Sequence, residues 1–150
     1  MRIWVDADAC PRVVKEFIFR ASERLKVHVV FVTNSPIYLP PSNHLEIIYV
    51  PKDPDAADQY IIQNLGKEDL VITADIPMAS EVLKKKAFVI NPRGDEFTEK
   101  NIGEKVSTRN LMSDLRSSGM MGGGPPPMNS KDTQKFSSAF DRIVTKLLQT

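Results

Sequence analysis

The chain has a single cysteine, Cys10, in 150 residues. Neither an intrachain disulfide nor a zinc site built on several cysteines can form. Histidine is almost as scarce. His28 and His44 both lie in or beside apolar runs, where packing or surface roles suffice, and no Ser-His-Asp pattern of the serine-hydrolase kind is evident. Cys10 has no histidine near it in sequence, so it reads as a small packed residue rather than a nucleophile. No apolar run approaches the ~20 residues that span a bilayer. The opening MRIWVDADAC is interrupted by two carboxylates, so a secretory signal is not expected, and the cytoplasm is the expected location. An excess of either charge is also missing. Twenty Lys and Arg against nineteen Asp and Glu leave +1, which excludes a strongly basic nucleic-acid coat and an acidic tail.

What the chain does have is a core. Hydrophobic residues make up 41% of it, enough for one domain of this length and too many for a disordered chain. Five short β-type runs, at 3–5, 27–33, 45–50, 70–73 and 87–90, are rich in Val, Ile and Leu with little alternation, the pattern of strands buried on both faces. Between them lie helical patterns at 11–25, 56–65 and 77–85. Strands alternating with helices predict an α/β three-layer sandwich with a central, mostly parallel sheet, with 3–5 in the middle beside 70–73. The last third differs. Residues 107–118 read as an amphipathic helix, and 119–130 (GMMGGGPPPMNS) as a low-complexity linker, mobile at 122–127. A closing helix over 131–149 carries Phe136, Phe140, Ile143 and Leu147 at helical spacing and should dock by that stripe. A single domain, with its core over about 1–118, is expected.

With so little His and Cys, the chemistry falls to carboxylates. Asp6 and Asp8 follow the first strand; Asp53, Asp55 and Asp58 the third; Asp75 the fourth; Arg93 and Asp95 the fifth. Thr33-Asn34 closes the second. In a parallel sheet these strand ends share one edge, the edge at which open α/β folds bind ligands. Acids gathered there repel one another unless protonated or bridged by a cation. Mg²⁺ or Mn²⁺, which take oxygen ligands, suit such a site and support phosphodiester cleavage. Plainer roles compete: Asp55 or Asp75 as helix caps, Asp58 favoured by the helix dipole, Asp53 as turn chemistry, and Lys84, Lys85 and Lys86 as a solvated helix end. Arg93, Arg109 and Arg116 are the phosphate candidates, because a guanidinium grips phosphate through two donors.

Several motifs in order carry a resemblance over essentially the whole chain: IWVDADACP at the start, DAADQYI at 55–61, DLVITADIPMA at 69–79, NPRGDEFT at 91–98, and the region of Arg109. Together they resemble the YaiI/YqxD family of bacterial proteins, which is grouped with PIN-like domains, metal-dependent nucleases with an acidic site at the edge of a parallel sheet. The resemblance implies Asp6 as the first-strand acid with Asp8 beside it, Asp75 as the later strand-end acid preceded by Thr73, and Asp58 or Asp55 as the helix-start acid. The chain departs from the usual PIN pattern in having DAD for one Asp and Ile76-Pro77 after Asp75. The expected activity is divalent-metal-dependent cleavage of single-stranded RNA. Asp6, Asp8 and Asp75 would be catalytic, with Asp55 and Asp58 completing the Mg²⁺ or Mn²⁺ shell. Thr33, Asn34, Thr73, Arg93 and Arg109 would contact substrate. Two other readings stand beside it. D-x-D followed by Val32-Thr33-Asn34 also looks like a haloacid-dehalogenase-type phosphatase, with Asp6 as covalent nucleophile. The third is a metal- or RNA-binding module without turnover.

Overall fold

Strands that are apolar at every position need cover on both faces, and helices supply it. The computed structural model describes residues 1–119 and 126–149. In chain order it contains β1 (Arg2–Asp6), α1 (Arg12–Leu25), β2 (His28–Thr33), β3 (Leu45–Tyr49), α2 (Ala56–Asn64) and β4 (Leu70–Ile72). There follow α3 (Ile76–Lys84), β5 (Phe88–Ile90), β6 (Glu96–Phe97), α4 (Ile102–Ser117) and α5 (Ser130–Leu148). The six strands form one sheet in the order β3-β2-β1-β4-β5-β6. β1 lies inside it as expected, parallel to β2 and to β4, with Ile3 opposite Leu70 and Val5 opposite Ile72. All neighbours are parallel except β6, which runs antiparallel to β5. The sequence reading has no β6, since two residues are too few to show a period.

Alternation along β1 divides the core in two. Ile3 and Val5 face a cluster built with Val14 and Ile18 of α1 and Phe136, Phe140 and Ile143 of α5. Trp4 faces the opposite cluster, with Ile61 of α2 and Met78, Ala79 and Val82 of α3. Helices therefore cover both faces of the sheet. At the start of β4, buried Asp69 accepts hydrogen bonds from the Arg2 N–H (2.9 Å), Trp4 Nε1 (3.0 Å) and the Gly66 N–H (2.8 Å). That carboxylate ties β1 to β4 at the edge opposite the strand C-termini, a structural use its sequence position does not reveal.

α4 starts five residues before the expected 107, at Ile102, and none of its residues is buried. α5 docks through the expected stripe: Phe136, Phe140, Ile143 and Leu147 are all buried. Its start is fixed by a capping box between Asn129 and Asp132. Gly94, at φ +91°, lies so close to the α5 backbone that a Cβ there would sit 2.5 Å from the Lys135 carbonyl carbon, so only glycine fits. The expected mobile stretch 122–127 falls mostly outside the described residues.

Candidate functional site

The strand order reverses direction between β1 and β4, so the connections after these two strands turn to opposite faces of the sheet, to α1 on one and α3 on the other, and leave a crevice between them. Asp6 ends β1 on one side of it, and Thr73 follows β4 on the other. Thr73, fully buried, donates from Oγ1 to Asp6 Oδ2 (3.1 Å) and accepts from the Asp75 N–H (3.1 Å). One hydroxyl thus sets the positions of two acids. Asp75 is the N-cap of α3, its Oδ1 accepting from the Met78 N–H at 3.0 Å. The capping role weighed from sequence is real and occupies one of its two oxygens. From the first turn of α2, Asp58 reaches the same place and shares a hydrogen bond with the Asp75 carboxyl.

These three acids disturb one another. Partial burial pushes the Asp58 carboxyl up to about 7, helped by the charges of Asp75 and Asp6, the hydrogen bond shared with Asp75, and the charge of Asp55. Burial also lifts Asp6 above the usual carboxylate range; the Thr73 hydrogen bond opposes this, while the charges of Asp75 and Asp8 add to it. None of the three takes part in an ion pair with Lys, Arg or His among the described residues. Asp58 relieves the repulsion by holding its proton instead.

A stability effect of definite sign follows. Asp58 holds its proton more tightly in the folded chain than in the unfolded one. Its contribution is therefore fully present below about pH 4 and is lost as pH rises through about 7. In chelator, Asp58→Asn should gain stability relative to wild type from pH 4 to 7, and the gap should level off above that. Urea unfolding at a series of pH values reads it. A gap that does not change with pH would contradict the crowding of these acids.

The other expected site residues fall in three places. Asp8, in the short 3₁₀ turn Ala7–Ala9, turns towards the end of β2. Its Oδ1 accepts from Thr33 Oγ1 (2.6 Å) and Ser35 Oγ (3.3 Å), and its Oδ2 from the Asn34 N–H (2.8 Å). Thr33 and Asn34 are thereby partners of Asp8, and Ser35 joins a set in which sequence reasoning had not placed it. The signal available was three successive hydroxyl and amide residues at a strand end. Asp55 sits at the N-cap position of α2 without a side-chain capping bond and is exposed. The carbonyl of Asp53 accepts from the Ala56 N–H, as a turn residue would.

Arg93 is engaged elsewhere. Its Nη1 pairs with Asp132 Oδ2 at 2.9 Å, and its Nη2 donates to the Pro126 carbonyl. Lys135 pairs with Asp95, and Arg142 Nη2 with Glu96 Oε1 at 2.9 Å, so the β5–β6 turn is clamped to α5. Arg109 is exposed on α4 beside Ala74 and Ile76, the two neighbours of Asp75. Cys10 is buried, which raises its thiol to about 12 and leaves it inert at neutral pH. The lysines at the end of α3 are tied down: Lys84 to Glu81, Lys85 to the Ile62 carbonyl, and Lys86 to Glu99.

The donor set of Asp6, Asp58 and Asp75 is anionic and all oxygen, the kind that hard divalent cations take. It fits such an ion in its chemistry. Among the described residues, no three His, Cys, Asp or Glu side chains are already drawn together as a metal-holding group. Thr73 Oγ1 occupies one oxygen of Asp6 and the Met78 N–H one oxygen of Asp75.

Sheet order and strand-end acids define an α/β chain with its carboxylates at the crossover of a largely parallel sheet. The chain belongs to the family described as "Uncharacterized BCR, YaiI/YqxD family", whose model matches residues 4–146. A relative in Citrifermentans bemidjiense, named UPF0178 protein, is 48% identical over 149 residues, 99% of this chain and 97% of that one. One of the same name in Trichlorobacter lovleyi is 46% identical over 149 residues, with the same coverage. UPF0178 protein Mmwyl1_2258 of a Marinomonas species is 44% identical over 99% of this chain and 100% of its own. No solved structure matches. No helix among the described residues is long and apolar enough to cross a membrane.

Proposed function

We propose that the chain is a divalent-metal-dependent phosphodiesterase of PIN-like type that cleaves single-stranded RNA at the β1–β4 crevice. The observation that carries this reading is that Thr73 links Asp6 to Asp75 and that Asp58 feels the charges of both, with no cationic side chain paired to the three among the described residues. Acids of this kind are costly for folding, and a site that keeps them is suited to a cation. Asp6, Asp58 and Asp75 would hold Mg²⁺ or Mn²⁺. When bound, such an ion neutralises phosphate charge and lowers the pKa of water.

The chain's own groups do the positioning. Thr73 fixes the rotamer of Asp6 and the backbone before Asp75. The 3₁₀ turn and Thr33 hold Asp8 one step out, where its charge still reaches Asp6. Arg109, on the far side of Asp75, is placed to take a phosphate next to the scissile one. Arg93 is held to α5 through Asp132.

Because Asp58 holds a proton up to about pH 7, cation and proton compete for it. Incubation of the full chain with a single-stranded RNA oligomer in Mn²⁺ should give cleavage that EDTA stops. The rate at subsaturating Mn²⁺ should rise from pH 6 to 8. Intact oligomer at every pH in Mn²⁺ and in Mg²⁺ would remove the nuclease reading.

A further inference from the structure

A groove of about 680 Å³ runs between the β4–α3 loop and α4, beginning beside Asp75. Ala74 and Ile76 form its inner wall; Lys105, Arg109, Met112 and Arg116 of α4 form the outer one. At about 100° per residue, Lys105, Arg109 and Arg116 fall within a stripe about 40° wide, with Met112 beside them. Of the two acids of α4, Glu104 lies about 100° off the stripe but also lines the groove, and Asp114 is on the opposite face. Among the described residues none of the three cations makes a direct ion pair, and the charge of Lys105 also reaches Asp95. In a chain of net charge +1, three unpaired cations on one line are a local concentration of charge that composition hides. No residue of α4 is fully buried; Ile102 packs against the core at its start, and Arg109 and Arg116 remain exposed.

We propose that this groove is a docking surface for single-stranded nucleic acid, with Lys105, Arg109 and Arg116 binding phosphates along about 16 Å of α4. The charge pattern matches a polyanion, and the half-buried Ile76 and Met112 between the cations offer apolar contact to unstacked bases, which a duplex keeps inside. The strand enters along α4 and reaches the acids at Ala74–Asp75. The proposal rests on the phosphodiesterase reading only for what happens at that end, because binding along α4 needs neither metal nor turnover.

The test uses the full chain in EDTA and a fluorescent 20-nucleotide oligo(U) RNA, followed by anisotropy at 50–200 mM KCl. Three phosphate contacts give a slope of log K against log salt of about −2, so binding weakens about 15-fold across that range. Arg109→Ala should reduce the slope by about 0.7. Lys105→Ala/Arg109→Ala/Arg116→Ala should weaken binding at least tenfold at 50 mM and flatten the slope, with an unchanged thermal melt. Arg20→Ala/Lys67→Ala/Lys131→Ala, which removes the same three charges off the groove, should bind like wild type. A triple variant that keeps wild-type affinity and slope overturns the proposal. So does equal affinity for the same length of duplex RNA, or binding of poly-glutamate with none of RNA, which would mark an acidic protein partner. Groove-dependent RNA binding without cleavage in Mn²⁺ upholds the groove and sinks only the nuclease reading.

Discussion

In Mn²⁺, Asp6→Asn and Asp75→Asn are each expected to cut single-stranded RNA at least 10²-fold more slowly than wild type, a loss of about 2.7 kcal/mol at the transition state. The same variants should lose the stabilisation that a specific cation gives the folded chain, about 2.7 kcal/mol at a hundredfold excess over its dissociation constant. In chelator the sign changes. Each substitution removes a charge from a group of mutually repelling acids, so the metal-free proteins should be no less stable than wild type. Asparagine matters at position 75, because Asp75 Oδ1 caps α3 through the Met78 N–H, and Asn caps helices about as well as Asp. Asp75→Ala would lose about 1 kcal/mol from the missing cap alone and confuse the result. Thermal melts with and without Mn²⁺, set beside cleavage rates, separate the effects. Wild-type metal stabilisation together with wild-type cleavage in both variants would end the acidic-edge mechanism.

Much of the arrangement was legible because it depends on period and on strand direction. β1, β2 and β4 are apolar without alternation and are buried on both faces, which is why the sequence already placed them inside a parallel sheet. Once the strands are parallel, Asp6, Thr73 and Asp75 must share an edge. What one dimension cannot show is which acids meet. Asp8, two residues from Asp6, reads as its partner, yet a single 3₁₀ turn swings it to Thr33 and Asn34. Asp58, fifty-two positions from Asp6 in the chain, comes under the charges of both Asp75 and Asp6. Nor does the sequence reveal that α5 brings Asp132 to Arg93. Lys105 drew no notice because a cationic stripe on α4 needs the helix to start at Ile102, five residues before its apolar pattern becomes readable.

The clamp that takes Arg93 gives α5 a large expected weight in stability. Phe140 is fully buried. Its ring stands edge-on to Phe17 of α1 at 5.4 Å and tilted against Phe136 at 5.8 Å. Phe140→Ala removes the apolar surface of the ring, leaves a cavity that rigid neighbours refill only in part, and should cost about 3–5 kcal/mol. The lost edge-to-face contact is part of that sum, worth about 0.5–1.5 kcal/mol. Leu148, 47% exposed on the same helix, is the matched control: Leu148→Ala should change stability by no more than about 0.5 kcal/mol. The ion pairs of Arg93, Lys135 and Arg142 will not rescue the first variant. Lys135 and Arg142 are largely exposed, and such pairs contribute about 0–1 kcal/mol each. Urea midpoints decide the matter. Equal midpoints for Phe140→Ala and Leu148→Ala would mean that α5 lies loosely against the sheet, and that the aromatic stripe does not hold it there.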